Sequence, residues 1–215
     1  RLRAQVFGQD HAIQAFVEGL FNAEVVAGAE RDRRQPEAVF VFYPCAAGVQ
    51  FLTQYAQAGM KDKIPLYTAF TVDELSLPLQ KELALGVPGA QQWVHDLPAP
   101  QNKKFVDDYR KKYPGLRPTY YGAQAYDAAQ LINSAVVAVK GDLTKKDAMR
   151  DEMRKVNFPS VRGTYKYGNN HFPIQNFYLQ DVVKGEDKDF PLSLKTVATI
   201  VKDSQDRFHD KCPMK

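Results

Sequence analysis

Residues 38–71 read AVFVFYPCAAGVQFLTQYAQAGMKDKIPLYTAFT. Ala38 to Tyr43 is a nearly unbroken apolar run rich in Val and Phe, and Pro44-Cys45-Ala46-Ala47-Gly48 ends it. The spacing predicts a helix over Gln50 to Ala58, stopped by Gly59, and then a second short apolar run from Ile64 to Phe70. On that helix Val49, Leu52, Thr53 and Ala56 share one face, with Gln50, Gln54 and Gln57 opposite. Strand, turn, helix, Gly stop and strand make a βαβ unit. Such strands are parallel and joined right-handedly, so their carboxyl ends face the same way. Ligands of open α/β sheets bind outside those ends. That directs attention to Tyr43-Pro44-Cys45-Ala46 and Phe70-Thr71-Val72-Asp73, which carry rings, small residues and hydroxyls but no evident catalytic apparatus.

The 215 residues are 44% hydrophobic and 12% aromatic, enough for a packed core and unlike a disordered chain. A net charge of +4 comes from 29 basic residues spread among 25 acidic ones. No basic face of the kind a nucleic-acid binder needs emerges, and Arg31-Asp32-Arg33-Arg34 reads as a solvated loop or helix end. No apolar stretch approaches the ~20 residues that span a bilayer. Cys45 and Cys212 are compatible with one disulfide or two free thiols.

Upstream of the central unit, Gly8 to Phe21 reads as an amphipathic helix with Asp10 as N-cap, and Ala23 to Ala27 as a short strand. Downstream, Leu75 to Ala84 reads as a short helix. Gly86 to Val94 reads as a strand broken by Pro88-Gly89, which suggests an edge or a bend. His95 to Gln101, with two prolines, reads as a linker, and Pro114 to Pro118 as a second breaker. Between them Asn102 to Tyr113 is a helix with Phe105, Tyr109 and Tyr113 at i, i+4 and i+8. Tyr120 to Val139 is a long helix, small and apolar on most faces and hence expected to be buried, and Gly141 ends it. Thr144 to Val156 reads as a further helix with Thr144 as its cap. From Val161 onward the pattern alternates: Val161 to Tyr167, Gln175 to Val183 and Leu194 to Val201 read as strands, the last two as an antiparallel hairpin.

The usual catalytic and cofactor signatures are missing. None of the five serines lies in a G-x-S-x-G elbow, and neither phosphate loop, G-x-x-x-x-G-K-[ST] nor G-x-G-x-x-G, occurs. His11, His95, His171 and His209 are isolated, so no metal or cofactor is expected. Cys45 would need a neighbouring base to act as a nucleophile. The remaining chemistry is aromatic and polar. Tyr43, Phe70, Trp93, Tyr120, Tyr121 and Tyr126 supply flat walls, and Thr71, Gln124 and backbone N–H groups supply directional partners, a mixture suited to a small ring-bearing ligand. Packing in the core is the competing reading of each aromatic, above all Tyr126 and Trp93.

At this point a resemblance enters. PEAVFVFYPCAAGVQFLTQYAQAGMKDKIPLY, NKKFVDDYRKKYPGLRPTYYGAQAYDAAQLI and RGTYKYGNNHFPIQNFYLQDVVKG followed by TVATIV resemble, in that order, solute-binding proteins of ABC importers, branched-chain amino-acid type. The likeness covers Gln35 to Lys215 and is strongest to the subgroup that takes up aromatic acids. It implies an α/β, two-lobed type I periplasmic-binding-protein fold, with three-layer αβα, Rossmann-like lobes and hinge crossings. Residues 8–95 would form the second ligand-binding lobe, 102–157 would contribute helices to the first, and 158–215 would return to the second. The first-lobe sheet that should precede Gly8 is missing, and the Ala23–Pro36 connection of about ten residues is short for a crossover. The expectation is therefore a chain with an incomplete first lobe, a piece or set of pieces of a longer protein.

The same resemblance implies a non-catalytic, monomeric, periplasmic protein whose signal peptide has been removed and whose partner is an inner-membrane ABC permease complex. An oxidising periplasm would permit a Cys45–Cys212 disulfide. Relatives that bind amino acids carry an acid for the ligand ammonium just after the strand that here ends in Phe70, and an aromatic there implies a small aromatic carboxylate, of benzoate or lignin-derived type. The expected ligand-binding residues are Tyr43, Cys45, Ala46, Phe70, Thr71, Trp93, Tyr121 and Gln124. Branched-chain amino-acid binding, a ligand-sensing domain on the same fold and an α/β enzyme are the alternatives.

Overall fold

The computed structural model describes residues 37–214. The helix expected over Gly8 to Phe21 and the strand over Ala23 to Ala27 lie outside them. Strand β1 (Val39–Val41) buries Val39 and Val41 on one face. Helix α1 (Cys45–Gln57) follows, then β2 (Leu66–Ala69), parallel to β1 with Val39 opposite Leu66 and Val41 opposite Thr68. The βαβ unit is therefore present. Its helix differs in extent and face. It starts five residues early because Pro44, extended at φ −73°, serves as the N-cap, a position where a missing N–H costs nothing. Its buried line is Gly48, Leu52 and Tyr55, one position round from the line expected. The helix ends as a glycine stop should. Gly59 adopts φ +65°, its N–H donates to Ala56 O, and Met60 N–H donates to Tyr55 O.

After β2 come a short helix α2 (Leu77–Gln80) running into a 3-10 turn (Lys81–Ala84), and then β3 (Pro88–Gln91). β3 pairs parallel to β2 on one side and antiparallel to β5 on the other, so it is an interior strand, which excludes the edge, one of the two expectations (edge or bend) drawn from Pro88-Gly89. Proline is tolerated because it is the first residue of the strand. Helix α3 (Pro100–Lys112) carries Pro at its first position, and α4 (Tyr120–Ala138) is capped by the Thr119 hydroxyl, which accepts from Gly122 N–H. The Phe105, Tyr109 and Tyr113 rings lie in successive contact along α3.

Helix α4 is not enclosed as expected. Only Tyr120, Ala123, Asp127 and Ala135 are buried on it, whereas Ile132 and Val137 are 53% and 66% exposed. Apolar composition told of a packing face but not of a partner for it. Helix α5 (Lys146–Lys155) also departs from expectation: Thr144 is no cap, because its N–H and hydroxyl both bind the Asp142 carboxylate.

The strand expected over Val161 to Tyr167 is reduced to β4 (Tyr165–Tyr167), and the long hairpin β5 (Pro173–Asp187) and β6 (Phe190–Ser204) is antiparallel as read. The six strands among the described residues form one mixed sheet in the order β1-β2-β3-β5-β4, with β6 also pairing β5. β6 takes one edge of β5, and β3 and β4 share the other end to end. The core lies where α1 and α2 cover the parallel strands. The opposite face of β1 and β2 shows Phe40 and Tyr67, side by side in register and both exposed. Among the described residues, no helix is long and apolar enough to cross a membrane. Cys45 and Cys212 are free thiols, so the disulfide does not form.

Candidate functional site

The carboxyl ends of β1 and β2 lie side by side, and two bonds tie them. Tyr43 N–H donates to Thr71 Oγ1 at 2.8 Å, and that hydroxyl lies 3.4 Å from Val41 O. The first turn of α1 presses on both tips: a Cβ on Gly48 would stand 2.2 Å from Tyr43 O and 3.1 Å from Thr71 O. Only glycine permits that approach. Cys45 and Phe70 hold φ of +57° and +55°. Left-handed backbone at non-glycine residues costs on the order of 1–3 kcal/mol and concentrates at functional positions.

The amino end of α4 completes the cluster. The Phe70 ring meets Phe42 edge-on at 5.7 Å and Tyr120 at 5.3 Å; Tyr120 lies 4.1 Å from Tyr121. Tyr121 Oη reaches Cys45 Sγ at 3.9 Å, and Tyr43 packs on Phe51 of α1 at 5.5 Å. Five of the eight residues expected from the sequence, Tyr43, Cys45, Phe70, Thr71 and Tyr121, thus meet around the two strand tips, and Ala46 sits exposed in the adjoining turn of α1. Tyr120 belongs with them as the ring that joins Phe70 to Tyr121.

The other two lie elsewhere. Trp93 is fully enclosed, donates its indole N–H to Asn102 Oδ1 at 2.7 Å and meets Phe105 edge-on, which ties the end of the sheet to α3. Gln124 is exposed and faces a separate hollow of about 270 Å³ between α4 and the segment 158–173.

Electrostatics at the strand tips were only partly legible. Burial first, then the hydrogen bond with Tyr121 and the nearby Asp73 charge, push the Tyr120 hydroxyl far above the usual tyrosine range. Asp73 is 1% exposed, with Oδ1 accepting from Leu75 N–H and Ser76 N–H in a tight turn. An acid therefore stands close to the aromatic cluster, where the strand-tip reading had expected none to matter. Glu74, its neighbour, is committed inward: its carboxylate faces His95 Nδ1 at 3.3 Å and receives the Gln91 amide at 3.5 Å. His95 Nε2 in turn lies 3.4 Å from Ser193 Oγ, which accepts from Arg117 Nη1 at 2.9 Å. Carboxylate, imidazole and hydroxyl in that order also occur in serine hydrolases. Here the hydroxyl is held by a guanidinium, and the chain of bonds ties both proline-rich connections, through His95 and Arg117, to β6. Among the described residues, no group of three or more His, Cys, Asp and Glu side chains could hold a metal ion.

With this geometry in view, comparison with known proteins is decisive at the level of family. A family model described as "Periplasmic binding protein" matches residues 29–187. The chain belongs to the periplasmic binding protein family. Among curated members, the Leu/Ile/Val-binding protein homolog 6 of Brucella melitensis biotype 1 is 29% identical over 158 residues, which is 70% of this chain and 40% of that protein. An ABC transporter substrate-binding protein from Sphaerobacter thermophilus superposes with a TM-score of 0.74 at 23% identity, covering 94% of this chain and 50% of the other. A solute-binding protein of an ABC transporter from R. palustris, solved in complex with benzoate, superposes with a TM-score of 0.66 at 26% identity, covering 90% and 50%. The chain thus spans 40% of that curated relative's length and half of each of these solved ones, with the type I periplasmic-binding fold.

Proposed function

We propose that this periplasmic binding protein is the extracytoplasmic capture component of an ABC importer and holds a small aromatic carboxylate at the tips of β1 and β2, without chemical turnover. The observation that carries the reading is the ring cluster of Phe70, Tyr120 and Tyr121 beside Tyr43 and Cys45, formed by residues far apart in sequence. The benzoate bound to the R. palustris relative supports the ligand class. Thr71, the backbone at Cys45-Ala46, and Tyr121 supply polar contacts. Closure of one lobe on another is favoured by the ligand's better contacts in the closed state. Assigning the described part of residues 8–95 and segment 158–214 to one lobe is supported by the sheet, whose strands among the described residues all come from them. Residues 102–157 would carry α3, α4 and α5 toward the other lobe, a reading supported by the exposed Ile132 and Val137 on α4. The partner is a membrane permease that reads the closed form, and the capture component acts as a monomer.

A second reading has one observation in its favour. Asp73, buried beside Tyr120, is placed to meet an ammonium group, and the Brucella relative is named for leucine, isoleucine and valine. Thermal-shift measurements separate the two. At a hundredfold excess over Kd a ligand adds about 2.7 kcal/mol. Benzoate and hydroxybenzoates are expected to raise the midpoint, and leucine, isoleucine and valine to leave it unchanged. Stabilisation by the amino acids alone, abolished in Asp73→Asn, overturns the aromatic-acid reading.

A further inference from the structure

The hollow beside Gln124 holds a cation that the strand-tip cluster lacks. Arg162 is 5% exposed, and its guanidinium is fixed in plane by two bonds: Nε donates to Asp127 Oδ2 at 2.8 Å and Nη1 to Gln175 Oε1 at 2.9 Å. The plane lies over the Tyr165 ring, 4.0 Å from its centroid. Nη2 has no hydrogen-bond partner among the described residues. Asp127 balances the guanidinium charge in a buried pair and is itself held by Ser160 Oγ at 2.6 Å and Val161 N–H at 3.0 Å, so Nη2 offers a spare donor edge and not a surplus charge. A guanidinium with a spare amino edge, already immobilised, is a ready partner for a carboxylate.

Asp127, Gln124 and His171 also line the hollow, and the remaining wall is aromatic and aliphatic. Phe158, Tyr165 and Tyr167 supply rings, and Ala128, Leu131 and Pro173 supply aliphatic wall. Tyr165 and Tyr167 meet nearly at right angles, 5.5 Å apart, and Phe158 lies 6.1 Å from Tyr165. At the mouth His171 accepts from Arg154 Nε at 3.3 Å, and Arg154 is paired through Nη1 with Asp151 at 2.8 Å. One buried donor edge opposite ring walls is the arrangement that small-molecule sites use: mostly apolar lining with a few convergent polar groups.

We propose that this hollow is a second ligand site, separate from the strand tips, which takes a small carboxylate with a flat apolar body, its charge on Arg162 Nη2 and its ring among Phe158, Tyr165 and Tyr167. The site does not depend on closure of the strand-tip cluster and stands whether or not that cluster binds an aromatic acid.

Equilibrium dialysis with radiolabelled benzoate against the full chain tests it. Ala128 is exposed on α4 and lines the hollow, so Ala128→Trp fills the space without disturbing the core. Gln124→Glu, also at an exposed position, sets a like charge at the mouth. The variants are first matched to the parent chain by circular dichroism and melting midpoint. Ala128→Trp is expected to lose one equivalent of bound benzoate, and Gln124→Glu to weaken that equivalent roughly tenfold. Cys45→Trp, at the strand tips, is expected to keep it. Benzamide, with the ring and no charge, and acetate, with the charge and no ring, should compete poorly. Equal benzoate binding by the parent chain and Ala128→Trp overturns the proposal, as does equal competition by benzamide.

Discussion

Tyr43 N–H donates to the Thr71 hydroxyl across 2.8 Å, and this bond joins the carboxyl tips of two parallel strands just beyond the last pair of their ladder. Thr71 is 1% exposed, so the bond is sheltered from water. Replacing Thr71 with Val keeps the shape and removes the acceptor, which leaves the Tyr43 amide bare. An unsatisfied buried donor costs about 1–3 kcal/mol. Thr71→Val should lower the unfolding free energy by that amount, read as a lower urea midpoint, and weaken ligand binding at the tips, whereas Thr71→Ser should behave like the parent chain. Equal midpoints for Val and Ser would show that the hydroxyl bond contributes nothing.

Gly48 sets how closely α1 can approach those same tips. An added methyl group would stand 2.2 Å from Tyr43 O and 3.0 Å from the Thr71 methyl group, and neither is the loose end of a flexible side chain. Gly48→Ala must therefore push the first turn of α1 outward. The expected cost is about 1–3 kcal/mol, as for other overpacked sites. Because the displaced turn carries Cys45 and Ala46, ligand affinity should fall with stability. Gly122→Ala serves as the control: no atom lies within 4 Å of the added methyl group, so it should be neutral or mildly stabilising.

How these residues read in sequence explains what could be foreseen. The βαβ unit was legible because Val39 and Val41, the α1 glutamines and Gly59 all obey short-range rules of alternation, amphipathicity and helix stopping. The start of α1 was not, since Pro44 and Gly48 look like loop residues, yet one is an N-cap and the other a close-approach position. Thr144 looked like a cap by type and spacing, but its hydroxyl prefers Asp142. The Asp127–Arg162 pair, separated by 35 residues, and the His95–Ser193 contact, separated by 98, leave no periodic trace. Local pattern gives elements and strand tips; pairings of single polar side chains across the fold need the coordinates.

Tyr120 makes a pH prediction. Burial, aided by Tyr121 and the Asp73 charge, holds its hydroxyl protonated well above the range where an unfolded chain releases the proton. An unfolded tyrosine ionises near pH ~10. Above that value the unfolded state binds fewer protons than the folded one, so stability falls as pH rises. The Tyr120 contribution is complete below pH ~10 and declines by about 1.4 kcal/mol per pH unit beyond it. Tyr55 and Tyr167 are shifted the same way, each chiefly by burial, and add to the slope. Urea midpoints taken between about pH 8 and pH 11 should drop in the parent chain and drop less steeply in Tyr120→Phe. Identical slopes would mean that the Tyr120 hydroxyl ionises freely in the folded protein.

Trp93 offers the clearest optical test of how the sheet is joined to α3. It is the sole tryptophan of the chain and is fully enclosed, so its emission reports on one place. Asn102 accepts the indole N–H at 2.7 Å and donates its own amide to His95 O at 3.1 Å and Leu97 O at 3.0 Å. One side chain thus satisfies the ring and two carbonyls at the start of the proline-rich connection into α3. Asn102→Ala leaves three polar groups bare at once, each worth about 1–3 kcal/mol when water cannot reach it. The loss should exceed that of Thr71→Val, and the emission maximum should move to longer wavelength as water enters beside the indole. Asn102→Asp keeps the acceptor for the indole but not the two donated bonds. It should hold the emission maximum near that of the parent chain while still lowering the urea midpoint. A red shift in Asn102→Asp as large as in Asn102→Ala would mean that the connection, and not the indole bond, keeps Trp93 dry.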